Sequence, residues 1–423
     1  MAAEPSLIEA IKQLNYRVTV SDVAVQSGLE LQEAEHGLLA LAQESGGHLQ
    51  VAPTGNLVYV FPADLEGILY RKSFKRRLRA VWLSLWPLLF YLVRIFFGIL
   101  LITSILLMLV AIALILTAWS SQQDDRDRSD SSIDWGGFDL GTWGSDAIWV
   151  FNPEAAPRKV EQMGFLESVF SFLFGDGNPN AQFDECRWQT IGKVIRQNQG
   201  VVTAEQMAPY LDQLGSEDEQ ATEDFMIPVL VRFNGSPEVS PVGEIVYCFP
   251  ELQVGAAQTM PEHLPSYLEK HYWKFSQASE GQRFGAIALG VLNFILAIIL
   301  GGFLLQGAAS LGGFVGLVAA LYPLLLFYGI SFLTIPLGRW LWLRRHNRLN
   351  QQLNQERKAR ASRLKQLPSA LREKLNFAHS LGRQKQVIRP DEAIYSTERD
   401  LLEQEIEHAD QLDQAWQERL QQQ

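Results

Sequence analysis

Cysteine is almost absent from this chain: Cys186 and Cys248 are the two thiols among 423 residues. They form neither a CxxC pair nor a disulfide framework, and they read as free, buried thiols. The histidines are His36, His48, His263, His271, His346, His379 and His408, with no HxxxH or HExxH spacing, so nothing points to a metal site. No nucleophile–base pair, glycine-rich phosphate loop or ligand cluster supports an enzyme or a bound cofactor. Basic residues are scarce in two segments. Residues 1–68 carry two against nine acidic ones, and residues 183–252 carry four against twelve. DNA binding rests on Lys and Arg releasing counterions from phosphates, so the balance argues against a nucleic-acid partner. The first 14 residues hold Glu4 and Glu9 and lack a basic start followed by an apolar run, so they read as no secretory signal. The amino terminus is expected on the cytoplasmic side. Charge itself is missing from two long stretches. Ala80–Trp119 contains Arg94 alone, and Phe284–Leu337 contains none, where a bilayer crossing needs about 20 apolar residues.

One octapeptide is present almost twice: GNLVYVFP at Gly55–Pro62 and GEIVYCFP at Gly243–Pro250. Upstream of the first, Leu7–Leu14 reads as a helix. Thr19 and Ser21 offer N-cap oxygens before a second helix, Asp22–Gln26, which Gly28 ends. Leu31–Glu44 is a third helix. Two alternating strands, His48–Ala52 and Leu57–Phe61, follow across Thr54-Gly55-Asn56. The second copy has helices at Arg187–Arg196, Ala204–Leu211 and about Thr222–Arg232, with an acidic insert at Ser216–Glu219, and a strand at Glu244–Phe249. Three helices and a hairpin is the winged-helix order. The fold class expected is a mainly α membrane protein with two winged-helix-like (α+β) repeats, transmembrane helical hairpins and a helical C-terminal tail. Its parts are 1–70 (repeat 1), 80–119 (membrane block 1), 120–182 (linker with a Trp/Gly-rich and an amphipathic segment), 183–252 (repeat 2), 284–337 (transmembrane hairpin) and 340–423 (tail).

Arg71, Lys72, Lys75, Arg76, Arg77 and Arg79 precede the first block. Arg339, Arg344, Arg345 and Arg348 follow the second. Such residues stay on the cytoplasmic side, which favours an even number of crossings. Phe284–Gly307 and Gly313–Leu337 make two. The first block makes two short crossings that break near Arg94–Gly98, or one surface helix (Val81–Val93) with one crossing (Ile95–Ala118). The favoured count is four. Arg94 either sits near the far turn and snorkels into headgroups, or pairs with an anion or a partner protein. Asn293 reads as a helix–helix hydrogen bond. Trp135, Trp143 and Trp149 suit a bilayer interface. Phe165, Leu166, Val169, Phe170 and Leu173 share a helical face, for in-plane membrane or partner contact or for ordinary packing. Asp176, Asn178, Asn180 and Asp184 depart from a calcium loop at Ala181 and Arg187, and Asp176–Pro179 reads as a turn. In the tail, Thr397 with Asp400 resembles a capping box. Leu402, Ile406, Ala409, Leu412, Trp416 and Leu420 then form an apolar stripe.

At FLESVFSFLFGDGNPN (Phe165–Asn180), GVVTAEQMAPYL (Gly200–Leu211) and IYSTERDLLEQEIE (Ile394–Glu407), the chain resembles a family of membrane proteins of cyanobacteria and plant plastids. Some plant members of that family carry the label "iron-sulfur cluster biosynthesis family protein". The resemblance implies a photosynthetic source and a thylakoid or plasma membrane, or a plastid membrane if the source is a plant; the basic flanks of the membrane blocks add the expectation that both termini are cytoplasmic. It supplies no cluster ligand, since such carriers use clustered cysteines. The function expected is a scaffold or assembly factor for membrane complexes, with the lipid bilayer and other membrane or cytoplasmic proteins as partners. The alternatives are an iron–sulfur or redox-cofactor accessory protein and a small-solute transporter. The candidate interaction or membrane-positioning residues are Arg94, Asn293, Phe165, Phe170, Trp135, Trp143 and Trp149.

Overall fold

The computed structural model describes residues 4–72, 74–122, 163–212, 214, 222–256, 263–366, 369–382, 386–389, 393–406 and 409. In chain order the first copy is α1 (Glu4–Gln13), β1 (Arg17–Val18), α2 (Val20–Ser27), α3 (Leu31–Ser45), β2 (His48–Val51) and β3 (Leu57–Val60). Helices α4 (Leu65–Lys72), α5 (Phe74–Gln122) and α6 (Phe165–Phe174) follow. The second copy is α7 (Phe183–Gln197), β4 (Val201–Val202), α8 (Ala204–Met207), α9 (Ile227–Phe233), β5 (Ser236–Val239) and β6 (Ile245–Cys248). The remainder is β7 (Val254–Gly255), α10 (Glu280–Leu305), α11 (Gly313–Gln366), α12 (Ser369–Leu381), β8 (Gln386–Val387) and β9 (Tyr395–Ser396). The chain is mostly helical. It divides into two compact units: residues 1–79, 180–271 and 349–423, and residues 80–179 and 272–348.

In the first unit the two copies repeat one another down to single hydrogen bonds. The strands run β1-β3-β2 in one and β4-β6-β5 in the other, all antiparallel. Thr19 caps α2 in a capping box with Asp22, and Thr203 caps α8 in one with Gln206. The repeated octapeptide forms the central strand of each sheet. It is buried on both faces: Val58, Tyr59 and Phe61 in one copy, Val246, Tyr247 and Phe249 in the other. The hairpin turn closes identically, with Ala52 donating to Asn56 and Ser240 to Glu244. Gly55 and Gly243 supply the left-handed φ of 82° and 91° that the turn needs.

The copies share one hydrophobic core, in which Ala24, Val25, Leu31 and Ala34 of the first meet Ile191, Ile195, Val229 and Phe233 of the second. Arg196 crosses between them. Its Nη1 lies 2.9 Å from Asp22 Oδ1 and its Nη2 donates to Ser21 Oγ. Arg232 donates twice to the Gly28 carbonyl, the residue that ends α2. The tail holds both copies. β9 adds a fourth strand beside β2, β8 pairs in parallel with β7, and α12 covers Val201 and Val246 through Ala378. The Thr397–Asp400 capping box does not form. Thr397 Oγ1 accepts from Leu49 N, because the chain there is still paired to a strand, and Asp400 alone caps the helix 401–406 by accepting from Leu402 N. Leu402 and Ile406 are exposed, and the stripe beyond residue 409 lies outside the described residues.

The second unit is a helical bundle, and here the reading of residues 80–119 as two short crossings is corrected. α5 is one continuous helix, and neither proposed break point acts as one. Gly98 is a packing position, where an added Cβ would strike Leu166, and Arg94 has a partner on the bundle. Pro87 is carried inside the helix. Among the described residues three helices are long and apolar enough to cross a membrane, by length and composition: Leu85–Ser120 within α5, α10 and α11. α11 also corrects the division at residue 340, since the second crossing of the block and the start of the tail are a single 54-residue helix. The bundle core is Leu101, Ile105, Met108 and Ile115 of α5, with Leu296 and Leu300 of α10 and Val318, Leu325 and Phe332 of α11. α6 contributes Val169, Phe172 and Leu173 to the same core, so it packs into the bundle.

Candidate functional site

The bundle is apolar, so its polar groups stand out, and they gather where α6 ends. The last carbonyls of a helix have no partner within it. At α6 the guanidinium of Arg339, carried by α11, fills that role: Nη1 lies 3.3 Å from both the Ser171 and Phe172 oxygens, and Nη2 donates to the Phe275 carbonyl. A cation at a helix C-terminus also meets the favourable end of its dipole. Gly175 ends the helix, and Asp176 turns back beneath it. Asp176 Oδ2 accepts from Ser171 Oγ at 2.6 Å and from Gln277 N at 2.8 Å, and Ser171 Oγ lies 2.6 Å from Ser276 Oγ. Arg94 Nη2 stands 3.6 Å from Asp176 Oδ1, with its guanidinium over the faces of Phe90 and Phe170 at 5.4 and 5.6 Å.

The structure thus brings together two of the sequence candidates and adds two residues that sequence reasoning missed. Arg94 and Phe170 meet at α6, while Phe165, at the start of that helix, lies against Gly285 of α10. Asp176, read as a turn residue, is the carboxylate at the centre. Arg339, read as one of a cluster of topology signals, caps the helix. Asn293 is apart from this group. It is fully buried and donates through Nδ2 to Ser104 Oγ of α5, while Gly329 of α11 leaves room for its Oδ1. It joins three helices at one polar point, the close approach that small residues allow in bundles. Trp135, Trp143 and Trp149 lie outside the described residues.

The first unit has a different polar concentration. A cleft of about 410 Å³ is walled by Leu214, Phe225, Leu364 and Leu371, with Lys374, Glu205, Glu223 and Glu244 in its lining. Lys374 is 3% exposed and stands 2.8 Å from Glu223, 3.1 Å from Glu205 and 3.9 Å from Glu244. Burial alone pulls an ammonium pKa down. The hydrogen bond to Glu223 and the charges of Glu205 and Glu223 outweigh that, and Lys374 ends above its ordinary value. Tyr247, the tyrosine of the second octapeptide, donates to Glu223 and is held protonated by burial and by that carboxylate. Nearby, Asp212 receives three cations: Arg187 at 3.0 Å, Lys270 at 3.2 Å and the buried Arg357. Lys270 is shifted down, by burial first and by Arg187 second. These networks fix the tail to the second copy. Nothing in the tail's polar sequence singled out Lys374.

Among the described residues no group of three His, Cys, Asp or Glu side chains could hold a metal ion. Both cysteines are free. Cys186 is exposed, not buried as expected, because it faces outward from the first turns of α7, and Cys248 is half-buried under α12.

The sequence is 36% identical over 418 residues to an Arabidopsis thaliana protein described as an uncharacterized chloroplastic protein, At5g03900. The match covers 95% of this chain and 80% of the plant protein. The chain belongs to the family of this chloroplastic protein. No family model matches the chain, and no solved structure matches it. The shared region takes in nearly the whole chain, so the second copy, α6 and the three long apolar helices fall inside it. A chloroplastic relative and three apolar helices among the described residues are compatible with a membrane-associated plastid protein.

Proposed function

We propose that this protein is an integral membrane protein of plastids or of the corresponding cyanobacterial membranes, in which two fused winged-helix modules act by contact with other proteins, as a scaffold or assembly factor for membrane complexes. The observation that carries this reading is the shared core of the two copies. Asp22 and Arg196 pair across it, the tail straps both halves, and the product is one acidic body joined in sequence to long apolar helices. The acidic side chains of α3 occupy the place where a DNA-binding member would present basic ones. A rigid two-module surface of that charge suits protein partners.

This reading places both modules on one face of the membrane. α5 ends beside α10, with Trp119 edge-on to Phe303 near the last turn of that helix. α6 lies at the other end of the bundle, beside Phe90 of α5 and Phe275 just ahead of α10. α6 and Phe90 of α5 thus share one end of the bundle, and the last turns of α5 and α10 share the other, which supports a reading with both modules on one face.

The test is capture of the tagged protein from gently solubilised native membranes, with partners identified by mass spectrometry and iron and labile sulfide measured in the same preparation. Stoichiometric membrane-protein partners without iron support the reading. A stoichiometric cluster, or a preparation that never carries a partner above background, defeats it. Protease digestion of sealed vesicles checks the topology: cleavage of the two modules from opposite faces would overturn it.

A further inference from the structure

A guanidinium has five N–H donors, and burying them unfilled is costly. Among the described residues Arg94 makes no hydrogen bond. Its contacts are the Asp176 carboxylate at 3.6 Å and the two phenyl faces, and its Nε is buried without a partner. Asp176 cannot serve it fully, because its other oxygen already accepts from Ser171 and Gln277. Yet the Arg94 side chain is still 22% exposed, and the large side chains beside it on α5, Val93 and Phe96 among them, are apolar and exposed. The position along the bundle matters as well. Asp176 ties Arg94 to Gln277, three residues ahead of α10, and Arg339, the first charged residue of α11, closes the same end. Arg94 therefore stands level with the start of α10 and the first charged residue of α11, while exposed apolar residues, Trp82, Trp86 and Leu89 among them, continue along α5 beyond it. Arg344 and Trp340 follow at that end of α11, a cation over an indole.

A partner for such a group must bring oxyanion acceptors to an apolar surface at headgroup depth. We propose that Arg94 binds the phosphate of an anionic lipid headgroup, with the acyl chains against the exposed apolar residues of α5. The rings of Phe90 and Phe170 hold the guanidinium plane, and Asp176 tethers it from behind. Planar, bidentate donation to phosphate is what Arg offers and Lys does not, and basic pockets at helix ends are the usual seats of acidic lipids. The inference rests on the membrane reading above, and its test separates the two.

The full chain is reconstituted in vesicles of equimolar phosphatidylglycerol and phosphatidylcholine, re-extracted in mild detergent, and its retained lipids are counted by mass spectrometry. The wild type is expected to enrich phosphatidylglycerol on the order of tenfold, the worth of one charge-assisted contact. Arg94→Gln brings the ratio toward one, and Arg94→Lys falls between. Arg345→Gln, a cation of the same helix end with no such setting, leaves it unchanged. Asp176→Asn keeps or raises the enrichment, since a competing carboxylate is gone. Undiminished enrichment in Arg94→Gln overturns the proposal. Should that variant fail to fold, undiminished enrichment in Arg94→Lys does so. Enrichment abolished by inorganic phosphate assigns the site to a free anion and overturns the lipid source. A wild-type chain that alkaline carbonate strips from the vesicles would instead sink the membrane reading itself.

Discussion

The two copies in the first unit have the same backbone and different employment. Tyr16 N donates to Ile11 O and Gly200 N to Ile195 O, each at 2.9 Å, after a pair of left-handed residues: Asn15 and Tyr16 in one, Gln199 and Gly200 in the other. Beyond this turn the copies diverge. Asp22 of the first capping box is buried and reaches Arg196 in the second copy and Ala256 N beyond it, whereas Gln206 in the equivalent place bonds to Asn198 within its own copy. The 15-residue α3 has as its counterpart only the seven residues of α9 after a short 3-10 turn. The first sheet gains a strand from the tail, and the second is capped by a helix from it. A duplicated unit becomes a single body when the residues that are free to differ, caps and sheet edges, take on the work of joining.

The largest effect is expected where that joining is charged. Asp22 is fully buried and Arg196 nearly so. Removing one member of such a pair leaves the other uncompensated, at a cost of about 3–5 kcal/mol. Asp22→Ala should therefore lower the thermal stability of the purified full chain sharply, and adding Arg196→Met should restore part of it, because an apolar pair can replace a buried ionic one. Stability within about 1 kcal/mol of wild type for Asp22→Ala would show that the shared core alone holds the copies together.

The next effect lies at the tail. Lys374→Met removes a buried ammonium from between Glu205 and Glu223 and should cost about 2 kcal/mol, in the range for hydrogen bonds to charged groups. The pH dependence has a definite sign. Lys374 is raised in the folded state, so its contribution is complete below its ordinary value of 10.5 and is lost as pH climbs through the folded value. Tyr247, also raised, is lost in the same direction. Protease cutting within α12 should accelerate in wild type only in strong alkali, and in Lys374→Met already at neutral pH. Equal cutting of both at neutral pH would mean that Ala378 and Phe377, not the ion cluster, secure the helix.

Much of this architecture was legible in the sequence, and for identifiable reasons. The two octapeptides could be read as matching strands because Tyr59 and Phe61, like Tyr247 and Phe249, are buried at the same spacing. Thr19 and Gly28 marked the ends of α2, since capping is local chemistry. Asn293 could be read as a helix–helix contact because a lone amide in an apolar run has few other uses. The continuity of α5 was not legible: an arginine and a glycine in mid-run suggest a turn unless the partner that explains them is known, and Asp176 lies 82 positions away. Strands β8 and β9 have two residues each, too short for any periodicity. Lys374 looked like one more surface lysine, because its three glutamates come from three separate places in the second copy.

The smallest expected effect bears directly on the likeness of the copies. At the end of the shared turn the first copy places Tyr16 at φ 62° and the second places Gly200 at φ 78°. A left-handed residue with a Cβ costs about 1–2 kcal/mol relative to glycine, so the first copy already bears a strain that the second avoids. The surroundings differ too. A Cβ on Gly200 would meet the side chain of Gln253, which donates to the Gln199 carbonyl and would have to swing aside. Gly200→Ala should thus destabilise by about 1–2 kcal/mol, read as a drop in melting temperature that Gln253→Ala partly relieves. If the double variant is no more stable than Gly200→Ala, the cost is wholly in the backbone, and the two turns differ only in the residue they happen to carry. If Gly200→Ala is neutral, the second turn tolerates a side chain as the first does, and the equivalence of the copies extends to the residue that closes the turn.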